Sequence, residues 1–166
     1  MLAKITQVLL WISIIAWSLW FGGLIYETIV ILPLWSDPLP QAVIEWNSRP
    51  LYMVNPTRFH VPIAVVTVLA SILASIFGWK SSNRVYLVLS AVCAAGVLAF
   101  TIVYFFPKND VIFRNQYIGL SGAEISLIAS SWVTANWGRV VVMAIGFLAA
   151  LRAGNFGLIT TTEKGS

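Results

Sequence analysis

The chain has 166 residues, of which 59% are hydrophobic and only 10% charged, and its mean hydropathy is +0.87. A soluble domain of this length leaves too much of its chain near water to hide so much apolar surface, so this class is excluded. The formal net charge of +4 is compatible with a nucleic-acid partner. The basic residues instead sort by the two sides of a membrane, as shown below, so we expect no nucleic acid.

Four apolar runs are long enough to cross a bilayer, since a spanning helix needs about 20 residues. The sequence predicts spans at residues 5–32, 56–77, 85–106 and 131–151 within a single domain of residues 1–166. The first run is too long for a signal peptide and has no cleavage site after it, so we expect it to be retained. The predicted fold class is all-α: an integral membrane four-helix bundle with an outer cap of two long loops.

The connections differ in length. The turn "GWKSSNR" is short, which predicts an antiparallel hairpin of spans two and three. The first long loop predicts a short helix over residues 40–46, and Asn55 with Pro56 favours the start of span two. In the second long loop, Ser121 and Glu124 form a capping box, which predicts that the last helix begins at Gly122 and runs to about residue 153.

Polar residues gather at one level of the predicted bundle. The run "WFGGLIYETIVILPLW" contains a single carboxylate, Glu27, about 9 Å below Pro33 on a helix. The other three spans bring polar residues to the same half, while the opposite half is nearly pure hydrocarbon. These residues are Asn55, Arg58 and His60 on span two, Asn109 and Asp110 on span three, and Asn136 and Arg139 on span four. Ionisable groups inside a membrane are costly and indicate function by default.

Acid–base chemistry fits this set of residues. Glu27 is predicted as a general base, with Asn109, Asn136 and Arg139 stabilising a developing oxyanion. We expect the substrate to contact His60, Asp110 and three tryptophans, Trp20, Trp132 and Trp137. A cavity bordered by Glu27, His60, Asn109, Asn136 and Arg139 is expected between the helices. Glu27, His60 and Asp110 are also conceivable metal ligands, but they share no local motif, and we predict neither metal nor other cofactor.

A structural role for the same residues is the main alternative. Glu27 and Arg139 would then pair to lock the bundle, because an unpaired Arg at that depth costs about 3 kcal/mol. In both interpretations Arg139 is buried against Glu27 or a neighbouring carboxylate. Gly22 and Gly23 are expected to allow a close approach of two helices.

Three motifs resemble a known family. The segments "GGLIYETIVILP" in span one, "FFPKND" closing span three, and a Trp followed by "NWGR" in span four are similar to the anthrone oxygenase-like membrane proteins, also called DUF1772. The similarity covers residues 11–152, and the matching positions are Pro107, Asn109, Trp132, Asn136 and Arg139. Span one is also similar to small four-helix membrane oxidases of haem synthesis, but these carry an early histidine that this chain lacks.

The first resemblance implies an activity. Characterised members of the family oxidise polyketide anthrones to anthraquinones with O2, without metal or flavin. It implies a membrane oxidoreductase, a cofactor-independent monooxygenase acting on an aromatic or quinone-like lipophile, with Glu27 as base and Arg139 as enolate partner. The alternative is a non-enzymatic membrane subunit or lipophile-binding protein. The expected partners are a lipophilic small molecule and membrane lipid, and a homo-oligomer is compatible with either.

The charges predict the orientation of this multi-pass protein. One side would carry Lys4, Lys80, Arg84, Arg152 and Lys164 against Glu163, while the basic and acidic residues of the other side balance. Basic loops face the cytoplasm, so both termini are predicted to be cytoplasmic. Cysteines introduced by Ser48→Cys and Asn115→Cys should therefore react with an impermeant thiol reagent added from outside.

Two controls accompany this labelling. The parent chain, which has one native cysteine, gives the background, and Ser82→Cys should stay unlabelled because it lies in the turn between spans two and three. Labelling of residue 82 but not of 48 or 115 would reverse the orientation.

Overall fold

The computed structural model describes residues 2–48, 57–114 and 116–159, and every regular element in these ranges is helical. In chain order these are α1 (Leu2–Tyr26), a π-helical turn (Glu27–Ile31), α2 (Leu32–Ser36), α3 (Gln41–Ser48), α4 (Thr57–Phe77), α5 (Arg84–Phe100), a second π-helical turn (Thr101–Phe105), α6 (Phe106–Phe113) and α7 (Gly122–Ile159).

Four helical stretches are long and apolar enough to span a membrane: Ala3–Ser36, Thr57–Phe77, Arg84–Phe113 and Gly122–Gly154. The helix α1 packs against α4 and α7, and α5 packs against the same two helices. The chain therefore forms an antiparallel membrane four-helix bundle, which confirms the predicted fold class. The start of α1 and the end of α7 lie at the same end of this bundle; that this end is cytoplasmic stays a prediction.

Spans one and three continue further than the sequence predicted. Their predicted ends at residues 32 and 106 fall beside Pro33 and Pro107, yet the helices run on to Ser36 and Phe113. A proline removes one backbone donor and its ring crowds the carbonyl four residues earlier. In both spans a π-helical turn precedes the proline, and its wider hydrogen bonding lets the helix continue.

The cap, at the end of the bundle away from the start of α1, is built mostly from short helices. In it α2, α3, α6 and the first turns of α7 surround an apolar cluster, and Asn47 Nδ2 of α3 donates to the Ile112 carbonyl of α6 over 2.7 Å. The short helix predicted at residues 40–46 is confirmed as α3. The capping box is confirmed as well, because the Ser121 backbone N–H donates to Glu124 Oε2 over 2.7 Å. The predicted pair Asn55 and Pro56 lies outside the described residues.

The half of the bundle away from the cap is more polar than predicted. Ser13 of α1 and Ser71 of α4 share a hydrogen bond of 2.7 Å, and Trp17 Nε1 donates to Ser90 Oγ of α5 over 2.9 Å. All of these side chains are buried. Hydroxyls and an indole cost far less to bury than charges when they bond to each other, so the expectation of a nearly pure hydrocarbon interior was wrong here.

Glycine allows close helix contacts at two positions. A Cβ on Gly23 would stand 2.3 Å from the ring of Phe59 on α4, whereas one on Gly22 would meet open space. A Cβ on Gly146 of α7 would stand 2.6 Å from the Trp17 ring and 2.8 Å from the Cβ of Cys93. Of the two glycines predicted to allow a close approach of helices, Gly23 therefore does so and Gly22 does not.

Gly146→Ala should destabilise the bundle. Its new methyl group overlaps a buried indole and a neighbouring helix, and overpacking of this kind costs about 1–3 kcal/mol. The control is Gly138→Ala on the same helix, where a Cβ meets nothing within 4 Å. That change should be neutral or stabilising by up to about 1 kcal/mol through helix propensity. Unfolding in detergent measures the free-energy change of both variants. Equal changes would contradict the close contact of Gly146 with Trp17 and Cys93.

Candidate functional site

Glu27 begins the π-helical turn of span one. The N–H of Leu32 donates to the Glu27 carbonyl, five residues back instead of the usual four. Glu27 and Thr28 are 7% and 3% exposed, so the turn directs two consecutive polar side chains into the bundle. In an unbroken α-helix, neighbours in sequence point about 100° apart. Turns of this kind occur often at functional sites.

Two basic side chains face the Glu27 carboxylate. His60 Nε2 of α4 lies 3.1 Å from Glu27 Oε2, and Arg139 Nη2 of α7 lies 4.0 Å from the same oxygen. The three side chains are 9–20% exposed. Arg139 is therefore buried towards Glu27 as predicted, while His60 is the closer partner. Such partners offset the cost of a carboxylate inside an apolar bundle.

A chain of hydrogen bonds connects Arg139 to the π-helical turn. Arg139 Nη2 donates to Asn136 Oδ1, and Asn136 Nδ2 donates to Thr28 Oγ1 over 2.8 Å. The Thr28 hydroxyl in turn donates to the carbonyl of Leu24 over 2.7 Å. Asn136 is completely buried and uses both ends of its amide in this chain. Its amide therefore fixes the guanidinium in place. We call Glu27, Thr28, His60, Asn136 and Arg139 the Glu27 cluster.

Aromatic rings hold the other side of Arg139. Its guanidinium carbon lies 4.3 Å from the centre of the Phe105 ring and 5.6 Å from that of Trp132. Cation–π contacts are strongest where water is excluded. The Nε of Arg139 is buried and has no hydrogen-bond partner among the described residues. The guanidinium is thus fixed in position and retains an unused donor.

Asn109 lies in an aromatic layer next to the Glu27 cluster. Its Oδ1 accepts a hydrogen bond of 2.8 Å from Trp132 Nε1. Trp132 is 2% exposed and meets Trp35, Phe105 and Phe113 edge to face. Asn109 is therefore joined to Arg139 through the indole of Trp132.

The remaining predicted residues lie elsewhere. Asp110 pairs with Arg114, the residue that follows α6, over 2.9 Å. Trp137 is 53% exposed on the outside of the bundle, and Trp20 stacks on Trp17 in the bundle core. Among the described residues no three His, Cys, Asp or Glu side chains could hold a metal ion together. The conceivable ligand set of Glu27, His60 and Asp110 is therefore not assembled.

Sequence reasoning missed the two π-helical turns and their effect on the site. The signal for both is a proline six residues after the first residue of the turn, Pro33 after Glu27 and Pro107 after Thr101. The second turn contains Phe105, which stacks on Arg139. The cavity expected between the helices at this level stays a prediction.

Fold and site together define a class: a four-helix membrane protein with a buried carboxylate that faces a partly buried imidazole and guanidinium beside an aromatic layer. A family model described as anthrone oxygenase matches residues 49–149, which is 101 of the 166 residues. The chain therefore belongs to the anthrone oxygenase family. No curated protein and no solved structure matches it.

Arg139→Leu should lower the free energy of unfolding by about 3–5 kcal/mol, because removing one partner leaves a buried charge less compensated. Combining it with Glu27→Leu should cost less than the sum of the two single changes, with a coupling of about 0.5–3 kcal/mol. Unfolding in detergent measures the cycle.

Trp137→Leu is the matched control on the same helix. It lies on the exposed face, so its effect should be about 0.5 kcal/mol or less and additive with Glu27→Leu. Strict additivity of Arg139→Leu with Glu27→Leu would instead show that these two side chains do not interact.

Proposed function

We propose that this protein is a membrane oxygenase that oxidises an enolisable aromatic lipophile of the anthrone class with O2, without a metal or flavin. The observation that supports the proposal best is the buried Glu27 carboxylate with His60 at 3.1 Å and Arg139 at 4.0 Å. A carboxylate base with a guanidinium nearby suits the formation of an enolate, because one group removes the proton and the other stabilises the negative charge.

The reaction needs an acidic CH2 group beside a carbonyl-bearing ring. Glu27 removes one proton from this carbon, and the negative charge moves to the carbonyl oxygen, where the guanidinium of Arg139 stabilises it. The enolate carbon gives its electron pair to O2, and the resulting peroxide takes up a proton. Loss of the second C–H proton with hydroxide leaves a new C=O, so CH2 and O2 become C=O and H2O.

The neighbours of the two charged groups have separate roles in this proposal. Asn136 is a positioning residue, because its amide joins Arg139 to Thr28. The unused Nε–H of Arg139 is the donor available to a substrate oxygen. Asn109 acts through Trp132. Its hydrogen bond holds the Trp132 indole edge-on to the ring of Phe105, which contacts Arg139. The rings of this layer provide an apolar wall for a planar substrate.

A non-enzymatic lipophile-binding or subunit role is the second candidate. One observation favours it: the amide of Asn136 and the hydroxyl of Thr28 are both satisfied inside the cluster, as expected for groups that only stabilise a bundle. In that case Glu27, His60 and Arg139 compensate one another, and the carboxylate takes up no proton from a substrate.

Glu27→Gln separates the two candidates. The change keeps the shape of the side chain and removes the base, so turnover of an anthrone to an anthraquinone should fall about 10²–10⁴-fold. Oxygen consumption and the quinone absorption band both follow the reaction in detergent or proteoliposomes.

Glu124→Gln is the matched control, because glutamine also serves at this position of a capping box and the residue lies in the cap. It should retain parental turnover. Parental activity in Glu27→Gln would disprove the role of Glu27 as base. Absence of turnover by the parent chain across a panel of anthrones, with binding retained, would favour the second candidate.

A further inference from the structure

A second candidate site lies far from the Glu27 cluster. A cavity of about 840 Å³ opens where α1 begins and α7 ends, between the first turns of α1, the turn of residues 78–83 and the end of α7. Thr6 on its wall and Glu27 are 21 positions apart in the helix of span one, which corresponds to about 30 Å. The cavity is therefore independent of the proposed oxygenase site.

The lining of this cavity is amphipathic. Leu10, Ile76 and Leu87 supply apolar walls, while Gln7, Lys80 and Ser82 lie at its polar part. These three polar side chains belong to exposed residues, and none of them forms a hydrogen bond or ion pair in the described structure. Their donors are free for a ligand with an anionic or polar group at one end and an apolar remainder.

The polar part of the cavity is held in shape by the protein itself. Asn83 Nδ2 donates to the carbonyl of Ala153 over 3.0 Å, which ties the turn to α7. The backbone N–H of Asn83 donates to Ser81 Oγ over 3.1 Å, and that of Ser81 donates to the carbonyl of Gly78 over 2.8 Å. Little ordering of the chain is then needed when a ligand binds.

Charge and depth favour one kind of ligand. The nearby basic residues are Lys4, Lys80, Arg84 and Arg152, and the five acidic residues in the described ranges lie at the opposite end of the bundle, in span one near the cap or in the cap itself. Trp11 and Trp79 line the cavity and are 50% and 59% exposed. Exposed tryptophans of membrane proteins are enriched at headgroup level, where the phosphates of lipids lie.

We infer that this cavity binds an anionic glycerophospholipid, with its phosphate at Lys80 and Ser82 and an acyl chain along Leu10 and Ile76. Lys80 supplies the charge and Ser82 a hydroxyl donor. A basic cavity at the interface selects anionic over zwitterionic lipids, because each lysine near such a surface contributes electrostatically.

Native mass spectrometry of the full chain in detergent tests the site with phosphatidylglycerol and phosphatidylcholine of identical acyl chains. The parent should retain phosphatidylglycerol in preference. Lys80→Gln should weaken phosphatidylglycerol binding about fivefold, the effect of one interfacial lysine. Ser82→Glu, which introduces a negative charge at the same place, should weaken it further. Both positions are exposed, so the fold should be retained.

Lys4→Gln is the matched control, because Lys4 is exposed at the same end but does not line the cavity. It should leave the affinity for phosphatidylglycerol unchanged. Equal losses of affinity in Lys80→Gln and Lys4→Gln would mean that only the overall charge matters, and this would overturn the site. Equal retention of the two lipids would overturn it too. Displacement of the lipid by millimolar glycerol phosphate would assign the cavity to a soluble anion. Lipid binding that appears only after removal of residues 160–166 would show that these residues occupy the cavity in the full chain, and it would overturn the lipid site.

Discussion

The half of the bundle next to the cap is arranged around one costly group, the carboxylate of Glu27 inside an apolar helix bundle. A buried charge is tolerated when partners from other elements approach it, and here α4 contributes His60 and α7 contributes Arg139. Arg139 then needs support of its own, which it obtains from Asn136 on one side and the ring of Phe105 on the other. One acid thus connects three of the four spanning stretches directly, and through Phe105 the fourth.

Most of the site could be predicted from sequence because depth in a membrane follows from residue number. Glu27, His60, Asn136 and Arg139 fall at one level once four antiparallel spans are assumed, and polar groups at such a level seek each other. Contacts that depend on helix rotation could not be predicted in this way. Trp137 is adjacent in sequence to Asn136 but points outside, and Asp110 pairs with Arg114, four residues later at the end of its own helix.

Hydroxyl groups away from the cap were missed for a different reason. A serine in an apolar run scarcely changes its hydropathy, so Ser13, Ser71 and Ser90 give no visible signal in the sequence. They become significant only as pairs, when α1 meets α4 and α5 and each hydroxyl finds a partner. Pairwise satisfaction is a property of packing, which composition does not encode.

The family match and the geometry of the site support different parts of the proposed function. Residues 49–149 include His60, Asn109, Asn136 and Arg139, whereas Glu27 precedes the matched region. The assignment of the base therefore rests on the contacts of Glu27 with residues inside the match. The aromatic layer of Trp132 and Phe105 lies within it too, so the match covers both the cation and the rings around it.

The paired π-helical turns have a consequence for how this chain tolerates length changes. Each turn holds one residue more than an α-helical turn would, and each precedes a proline that needs the room. Deleting one residue from either turn would restore ordinary winding and leave the helix beyond it in almost the same rotational phase, because four α-helical residues turn the chain about as far as the five residues of the wider turn. Trp35 would keep its place against Trp132, but the ring of the following proline would crowd the carbonyl four residues earlier. A one-residue deletion in these segments should therefore be tolerated only together with replacement of the proline.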